Sequence, residues 1–173
     1  MKKIGIYVAG PLFTKAYQKE KIFEGNLIKE SCDELSKILP NIEFDIYNPI
    51  AADINDKSKL PESEGIYDLD YEKISGSEIV FACLDEEDAG TMMEIGQAIE
   101  QKKFVIAYAT DMRIATAGKY EGIRVPFGLN QYVIGGLFRN GVKIHSSIEE
   151  AVEHFKNHLK ETEAVGAKDS HSL

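Results

Sequence analysis

Residues 79–98 read IVFACLDEEDAGTMMEIGQA, which joins an apolar run, an acidic turn and an amphipathic segment. The run Ile79–Leu84 is continuously apolar, and this predicts a strand that is buried on both faces. The segment Thr91–Gln101 predicts a helix. Its sheet-facing residues are expected to be Met92, Ile95, Gly96 and Ile99. We expect Gly96 to allow a close approach between this helix and the sheet.

The same alternation of apolar runs and amphipathic segments extends along the chain. Four further strands are predicted at Ile4–Ala9, Phe44–Tyr47, Phe104–Ala109 and Val142–Ile144. Four further helices are predicted at Lys15–Leu39, at Tyr67–Ser75, at Asn130–Phe138 and from an N-cap at Ser146-Ser147 to about Lys160. We expect loops at Ile50–Glu64, with room for a short helical turn, and at Thr110–Gly128. The polar residues 161–173 predict a flexible tail, which leaves 1–160 as a single domain.

The longest predicted helix, Lys15–Leu39, carries apolar residues at helical spacing. These residues are Ile22, Phe23, Leu27, Ile28, Cys32, Leu35, Ile38 and Leu39. A helix of this kind is expected to pack its apolar side on the sheet.

Strands that are buried on both faces and alternate with helices are typical of a parallel sheet covered by crossover helices. The sequence therefore predicts a doubly wound, flavodoxin-like (Rossmann-like) α/β fold with five strands. For the strand order 2-1-3-4-5, ligands bind between the first and third strands, beyond their carboxyl ends. The segments that border this crevice are 7–13 and 84–94.

Composition and charge restrict the class of partner. A net charge of −9 disfavours nucleic acid polymers, because phosphate binding needs a basic face. No apolar run is long enough to span a membrane. Cys32 and Cys83 have no CxxC spacing and are expected to be buried, reduced thiols. We expect a cytoplasmic protein that acts on a small neutral molecule, with no metal or cofactor.

Two carboxylates stand out at the junction after the third strand. Glu94 lies near the predicted helix start, where the dipole favours an anion by roughly 0.3–1 kcal/mol, so we expect it to stay ionised. It is either a nucleophile or a solvated surface glutamate. Asp88 is either the N-cap of this helix or a partner that handles a proton. Such a pair suits retaining glycoside chemistry, in which one carboxylate attacks carbon.

The first strand supplies further candidates at the same crevice. Tyr7 either packs in the core or donates a hydrogen bond that orients a nucleophilic carboxylate. Gly10 leaves bare backbone where a ring approaches closely. Asp70, in the helix before the third strand, is either a surface charge or a crevice group. The first loop, AGPLFTKAY, has neither the GxxxxGK[ST] nor the GxGxxG pattern, which argues against nucleoside triphosphate and dinucleotide sites.

Four motifs resemble the nucleoside 2-deoxyribosyltransferases: YVAGPLF, DAGTMMEIGQA, VPFGLNQYVIGGL and GVKIHSSIEEAVEHF. The resemblance extends from Lys3 to Phe155, and its most specific element is the spacing of Asp88, Gly90 and Glu94. It implies transfer of the 2-deoxyribosyl group between bases, without a cofactor, through a covalent intermediate on Glu94. One alternative is a hydrolase of 2′-deoxynucleoside 5′-monophosphates, and another is a non-catalytic nucleoside-binding module.

The resemblance also implies roles for single residues. Asp88 would contact and protonate the leaving base, and Tyr7 would orient the nucleophile. Asp70 would lie on the base side, and Asn130 would be donated to a neighbouring subunit's site. A homo-oligomer that binds deoxynucleosides and free bases is therefore expected. The first loop offers only Thr14 and Lys15 to a phosphate, which favours the transferase over the monophosphate hydrolase.

Overall fold

A computed structural model describes residues 1–51, 62–111, 119–120, 123–124 and 129–169, with side chains for 1–51, 62–111 and 129–164. The elements in chain order are β1 (Lys2–Ala9), α1 (Lys15–Ile38), β2 (Ile42–Tyr47), α2 (Ser63–Ser75), β3 (Ile79–Cys83), α3 (Ala89–Glu100), β4 (Phe104–Tyr108), β5 (Lys119–Tyr120), β6 (Ile123–Arg124), α4 (Gln131–Arg139), β7 (Ile144–His145) and α5 (Ile148–Asp169). Short 3₁₀ turns follow β2 at Pro49–Ala51 and β3 at Asp85–Glu87.

The main sheet has five parallel strands in the order β2-β1-β3-β4-β7. This confirms the predicted doubly wound fold and its switch point between β1 and β3. At that point the register places Tyr7 beside Tyr47 of β2 and beside Val80 of β3. The ends of β1, β2 and β3 therefore meet at one edge of the sheet, where the α/β rule expects a ligand. A separate antiparallel pair is formed by β5 and β6.

Two hydrophobic cores lie on opposite faces of the sheet. The first is built on Ile6 and Val8 with side chains of α1 and α5. The second is built on Tyr7 and Ala9 with side chains of α2, α3 and α4. Side chains alternate between faces along a strand, so β1 must be apolar at nearly every position to serve both cores.

Several predicted boundaries differ from the structure. The predicted helix at Tyr67–Ser75 begins earlier, at Ser63, and the last strand of the sheet is Ile144–His145 rather than Val142–Ile144. The predicted loop at Ile50–Glu64 contains the 3₁₀ turn and the start of α2, and its residues 52–61 lie outside the described residues. The connection Thr110–Gly128 contains β5 and β6, and most of the rest lies outside them too.

The last helix begins as predicted, because the Ser147 hydroxyl accepts the backbone N–H of Glu150 at 3.3 Å. The predicted end near Lys160 is wrong, since α5 continues to Asp169. Lysine, glutamate and alanine after Lys160 have high helix propensity. An ion pair between Glu163 and Lys2, at 2.7 Å, ties the added turns to the start of β1.

The predicted packing stripe of α1 is partly wrong. Ile22, Phe23 and Ile38 are about half exposed, at 53%, 49% and 58%. The buried line is instead completed by two charged residues, Lys21 and Glu24, which precede Ile28, Ser31, Cys32 and Leu35 on the same side of the helix.

The predicted role of Gly96 is wrong as well. Gly96 is exposed, and an added Cβ there would meet nothing within 4 Å. The buried residues of α3 are Thr91, Ile95 and Ala98, so the helix is rotated from the predicted orientation. This rotation moves Glu94 toward the sheet.

Both cysteines, Cys32 and Cys83, are buried and free, as predicted. Among the helices of the described ranges, none combines the length and the apolar character that a membrane span requires.

Candidate active site

Glu94 and Tyr7 meet in the crevice beyond the carboxyl ends of β1 and β3. The Tyr7 hydroxyl donates a hydrogen bond of 2.7 Å to Oε1 of Glu94. Tyr7 is fully buried in the core of β1, and its ring stacks on Tyr47 with centroids 5.5 Å apart. The ring thus packs in the core while the hydroxyl reaches the carboxylate, so the two interpretations of Tyr7 are compatible, and its role in orienting a nucleophile stays a prediction.

The protonation of Glu94 differs from the prediction. Burial raises the pKa of Glu94 to about 7, although the hydrogen bond from Tyr7 and the charge of Lys21 act to lower it. The nearby carboxylates of Asp70 and Asp88 raise this pKa further. Glu94 lies in the second turn of α3, where the dipole has little effect, so desolvation dominates.

Asp88 is the N-cap of α3. Its Oδ1 accepts the backbone N–H of Thr91 at 2.9 Å and the Thr91 hydroxyl at 3.1 Å. Gly90 leaves room for this cap, since an added Cβ would lie 3.2 Å from Oδ1 of Asp88. Asp88 can therefore cap α3 and still lie near Glu94, because both residues belong to the same strand-to-helix junction.

Asp70 and Tyr47 bring polar atoms to the same crevice from α2 and β2. Within the described residues, Oδ1 of Asp70 and the Tyr47 hydroxyl are buried and lack a hydrogen-bond partner. Burial raises the pKa of Asp70, and the nearby hydroxyls of Tyr7 and Tyr47 oppose that rise although neither reaches Oδ1 with hydrogen-bond geometry. Burial also raises the pKa of Tyr47 to about 12. Buried polar atoms without partners are costly, so they mark a place where a ligand can supply the missing hydrogen bonds.

Gly10 lies where three elements converge. A Cβ added at Gly10 would collide with the Lys21 side chain and would lie 3.0 Å from Cβ of Cys83. Glycine is therefore required at this position by α1 and β3, in addition to the predicted need for bare backbone beside a ligand.

Asn130 lies at the start of α4, on a different element from the other candidate residues. It is exposed and is the N-cap of α4, where its Oδ1 accepts the backbone N–H of Tyr132 at 2.9 Å. Its own backbone N–H donates to Oε1 of Glu87, in the turn after β3. No hydrogen bond in the described part of the chain joins Asn130 to Glu94. Its predicted donation to a neighbouring subunit stays a prediction.

Tyr7, Glu94, Asp70 and Asp88 thus lie in one crevice. Gly10 and Gly90 allow the neighbouring side chains to pack closely. A sequence profile of the nucleoside 2-deoxyribosyltransferases matches residues 6–157, which covers most of the chain and contains all of these residues. The chain belongs to the nucleoside 2-deoxyribosyltransferase family.

A similar curated protein is an uncharacterized protein of Ureaplasma parvum serovar 3, which is 36% identical over 108 residues. That match spans 60% of this chain and 65% of the Ureaplasma protein.

Solved structures share the fold of this family member. A conserved protein from Enterococcus faecalis V583 is 28% identical, with a TM-score of 0.69 over 90% of this chain and 99% of that one. A 2-desoxiribosyltransferase from Leishmania mexicana is 19% identical, with a TM-score of 0.53 over 90% and 98% of the two chains. The CMP N-glycosidase BcmB of Clostridium botulinum is 16% identical, with a TM-score of 0.53 over 89% and 98%.

Sequence reasoning missed Tyr47 and the buried pair of Lys21 and Glu24. Tyr47 is the last residue of β2, and its place at the carboxyl end of a strand beside the switch point was a usable signal. Lys21 and Glu24 carry a weaker signal, since they continue the spacing of the buried line Ile28–Cys32–Leu35 toward the start of α1. In this family member, no sequence motif marks Tyr47, Lys21 or Glu24, the polar residues that sequence reasoning missed.

Proposed function

We propose that this protein transfers the 2-deoxyribosyl group between nucleobases by cleaving the N-glycosidic bond of 2′-deoxynucleosides. The observation that carries the proposal is the hydrogen bond from Tyr7 to the desolvated carboxylate of Glu94, at the switch point of the sheet. Membership of the deoxyribosyltransferase family supports the reaction class.

The chemistry is a double displacement. Ionised Glu94 attacks the anomeric carbon, the bond from carbon to base nitrogen breaks, and its electron pair leaves with the base. A crevice acid gives that base a proton. A second base then attacks the same carbon and loses a proton, and the carboxylate of Glu94 is released. Two inversions at one carbon retain the configuration of the sugar.

Each crevice group has a proposed task. Tyr7 holds Oε1 of Glu94, which fixes the carboxylate and favours its ionised form. Asp88 contacts the base and helps to protonate it. Asp70 and Tyr47 bind the base edge, because their buried unpartnered oxygens match the donors and acceptors that a base presents. Gly10 and Gly90 keep the walls close to the sugar and base.

The surroundings of the first loop favour nucleosides over nucleoside 5′-monophosphates. A cavity of about 190 Å³ beside Pro11 has Glu20, Glu24 and Asp85 in its lining. Among the described residues, the one lysine at its wall is Lys21, which is paired with Glu24. A phosphate dianion binds where cationic or N–H donors are free to contact it. The acidic lining therefore disfavours the monophosphate N-glycosidase alternative, although a CMP N-glycosidase shares the fold.

The test is a product assay with thymidine, in the presence and absence of adenine, followed by chromatography. Deoxyadenosine formed only with adenine is the expected result. Thymine release that is independent of adenine indicates a hydrolase, and thymidine 5′-monophosphate is then compared as substrate. If thymidine gives no product, deoxyadenosine replaces it as donor. Absence of turnover with every donor, together with binding that survives in Glu94→Ala, would overturn the proposal in favour of a binding module.

A further inference from the structure

Lys21 and Glu24 form an ion pair that is removed from water. Lys21 Nζ lies 2.6 Å from Oε2 of Glu24, and the two side chains are 2% and 1% exposed. Burying two charges costs several kcal/mol per ion, and their attraction offsets this only with good geometry and further hydrogen bonds. A buried ion pair is therefore weak evidence for a role in stability, and its further contacts indicate another role.

Lys21 contacts the ends of three strands at the edge of the sheet that holds the crevice. Its ammonium donates a hydrogen bond of 2.8 Å to the backbone carbonyl of Ala9, the last residue of β1. It donates another of 3.3 Å to the hydroxyl of Tyr108, the last residue of β4. The side-chain amide of Asn48, the residue after β2, donates a hydrogen bond of 2.8 Å to the backbone carbonyl of Lys21.

The Ala9 carbonyl is close in sequence to two residues of the candidate site. Tyr7, two positions earlier on β1, donates to Glu94, and Gly10, the next residue, packs directly on the Lys21 side chain. A shift of Ala9 would therefore move the Tyr7 hydroxyl and the first loop together. Displacements of about 1 Å at this range can cost roughly 100-fold in rate.

We propose that Lys21 is a positioning residue, whose ammonium, held by Glu24, fixes the carboxyl end of β1 so that Tyr7 presents its hydroxyl to Glu94. This role rests on the proposed function of the same crevice. Lys21 acts through Ala9 and Tyr7.

The charge of Lys21 gives this role an electrostatic signature. Within the described residues, the charged and titratable groups around Glu94 come from β1 (Tyr7), β2 (Tyr47), α2 (Asp70), α3 (Asp88) and α1 (Lys21). The two aspartates raise the pKa of Glu94, whereas Lys21 and Tyr7 lower it. Loss of Lys21 therefore removes the hydrogen bond to the Ala9 carbonyl and also a positive charge that favours ionised Glu94.

The test compares Lys21→Met/Glu24→Gln with Glu24→Gln alone in the full chain. The double variant leaves no unpaired buried charge, which protects folding. The matched control is Lys29→Met/Asp33→Asn, since that pair is on the same helix at 2.6 Å but exposed. Circular dichroism verifies the fold, and kcat, KM and the pH profile of kcat/KM are measured with the best deoxynucleoside donor.

We expect the double variant to lose roughly 10- to 100-fold in kcat with little change in KM, and its acid limb to move to higher pH. We expect Glu24→Gln to lose less of kcat than the double variant, because Lys21 keeps its hydrogen bond to Ala9. Its acid limb should move to lower pH, because the positive charge then lacks its counter-ion. The control pair should match the unmutated protein.

Unchanged kcat and an unmoved acid limb in the double variant would overturn the role of Lys21 while leaving the proposed function intact. If the double variant does not fold, Lys21→Gln/Glu24→Gln replaces it, since this pair is also uncharged but keeps polar side chains at both positions; an unmoved acid limb in it is the overturning result. An unmutated protein without turnover would overturn the proposed function itself, and the role of Lys21 with it.

Discussion

Asp88 and Glu94 belong to the same helix and the same crevice, yet their surroundings differ. Oδ1 of Asp88 is satisfied by the backbone and hydroxyl of Thr91 at the start of α3. Glu94 lies one turn further, in a desolvated site that raises its pKa to about 7, with the Tyr7 hydroxyl on one oxygen. The two carboxylates differ in environment, and this difference suits the proposed roles of one nucleophile and one proton-handling group.

The largest effect is expected at Glu94. Glu94→Ala removes the proposed nucleophile, so turnover should fall by about 10⁴-fold or more, while binding of the deoxynucleoside persists. Product chromatography and isothermal titration measure the two quantities. Glu100→Gln, an exposed change on the same helix, is the control and should stay active. Substantial residual turnover in Glu94→Ala would remove Glu94 from the covalent step.

A smaller loss is expected at Asp88. Asp88→Asn should lower turnover by roughly 10²–10³-fold, because asparagine keeps the cap but cannot deliver a proton as a carboxyl group does. Asp88→Ala should lose the cap as well and cost about 1 kcal/mol of stability. Kinetics and thermal unfolding on both variants separate the two roles. Equal rates for Asp88→Asn and the unmutated protein would leave Asp88 with the cap alone.

A pH-dependent effect is expected at Tyr7. The Tyr7 hydrogen bond lowers the pKa of Glu94, so Tyr7→Phe should raise that pKa above about 7 and move the acid limb of kcat/KM to higher pH. Near pH 6 the rate should fall by about 10-fold, with partial recovery at pH 9. Tyr132→Phe, at an exposed ring, is the control. An acid limb that stays in place would show that Tyr7 does not tune Glu94.

The smallest effect is on stability. The folded pKa of Glu94, about 7, exceeds the ordinary value of 4.5, so the stability that its protonated form contributes is complete below pH 4.5 and is lost as the pH rises through 7. Glu94→Gln mimics the protonated form and should stabilise the protein by roughly 1–2 kcal/mol at pH 8 but little at pH 4. Thermal unfolding at both pH values measures this. A stabilisation that is equal at pH 4 and pH 8 would contradict a raised pKa.

The fold was predictable because its signal is periodic and repeated. Among the four long strands, β1, β3 and β4 are mainly apolar runs and β2 alternates apolar and acidic residues, and a helix follows each strand along the chain. Errors of a few residues, as at the start of α2, do not change the order of elements. The crevice was predictable for the same reason, since the strand order alone decides where the switch point lies.

The errors arise where tertiary contacts override local patterns. Lys21 and Glu24 occupy the buried line of α1 as an ion pair, whereas Ile22 and Phe23 are left about half exposed. The pKa of Glu94 is set by burial and by groups that are distant in sequence, such as the hydroxyl of Tyr7 from β1 and the carboxylate of Asp70 from α2. The end of α5 differs from the prediction because a polar segment is compatible with both a flexible tail and a helix. The lysine, glutamate and alanine residues after Lys160 favour the helix.

The ion pair between Lys2 and Glu163 lies at the amino end of β1, across the sheet from the crevice at its carboxyl end. This arrangement gives the molecule a natural orientation for attachment to a solid support. A protein coupled through the Lys2 edge would present the crevice to the solution, so small molecules would reach it without crossing the matrix. The same edge is a suitable position for a fluorescent label that must not disturb the candidate site.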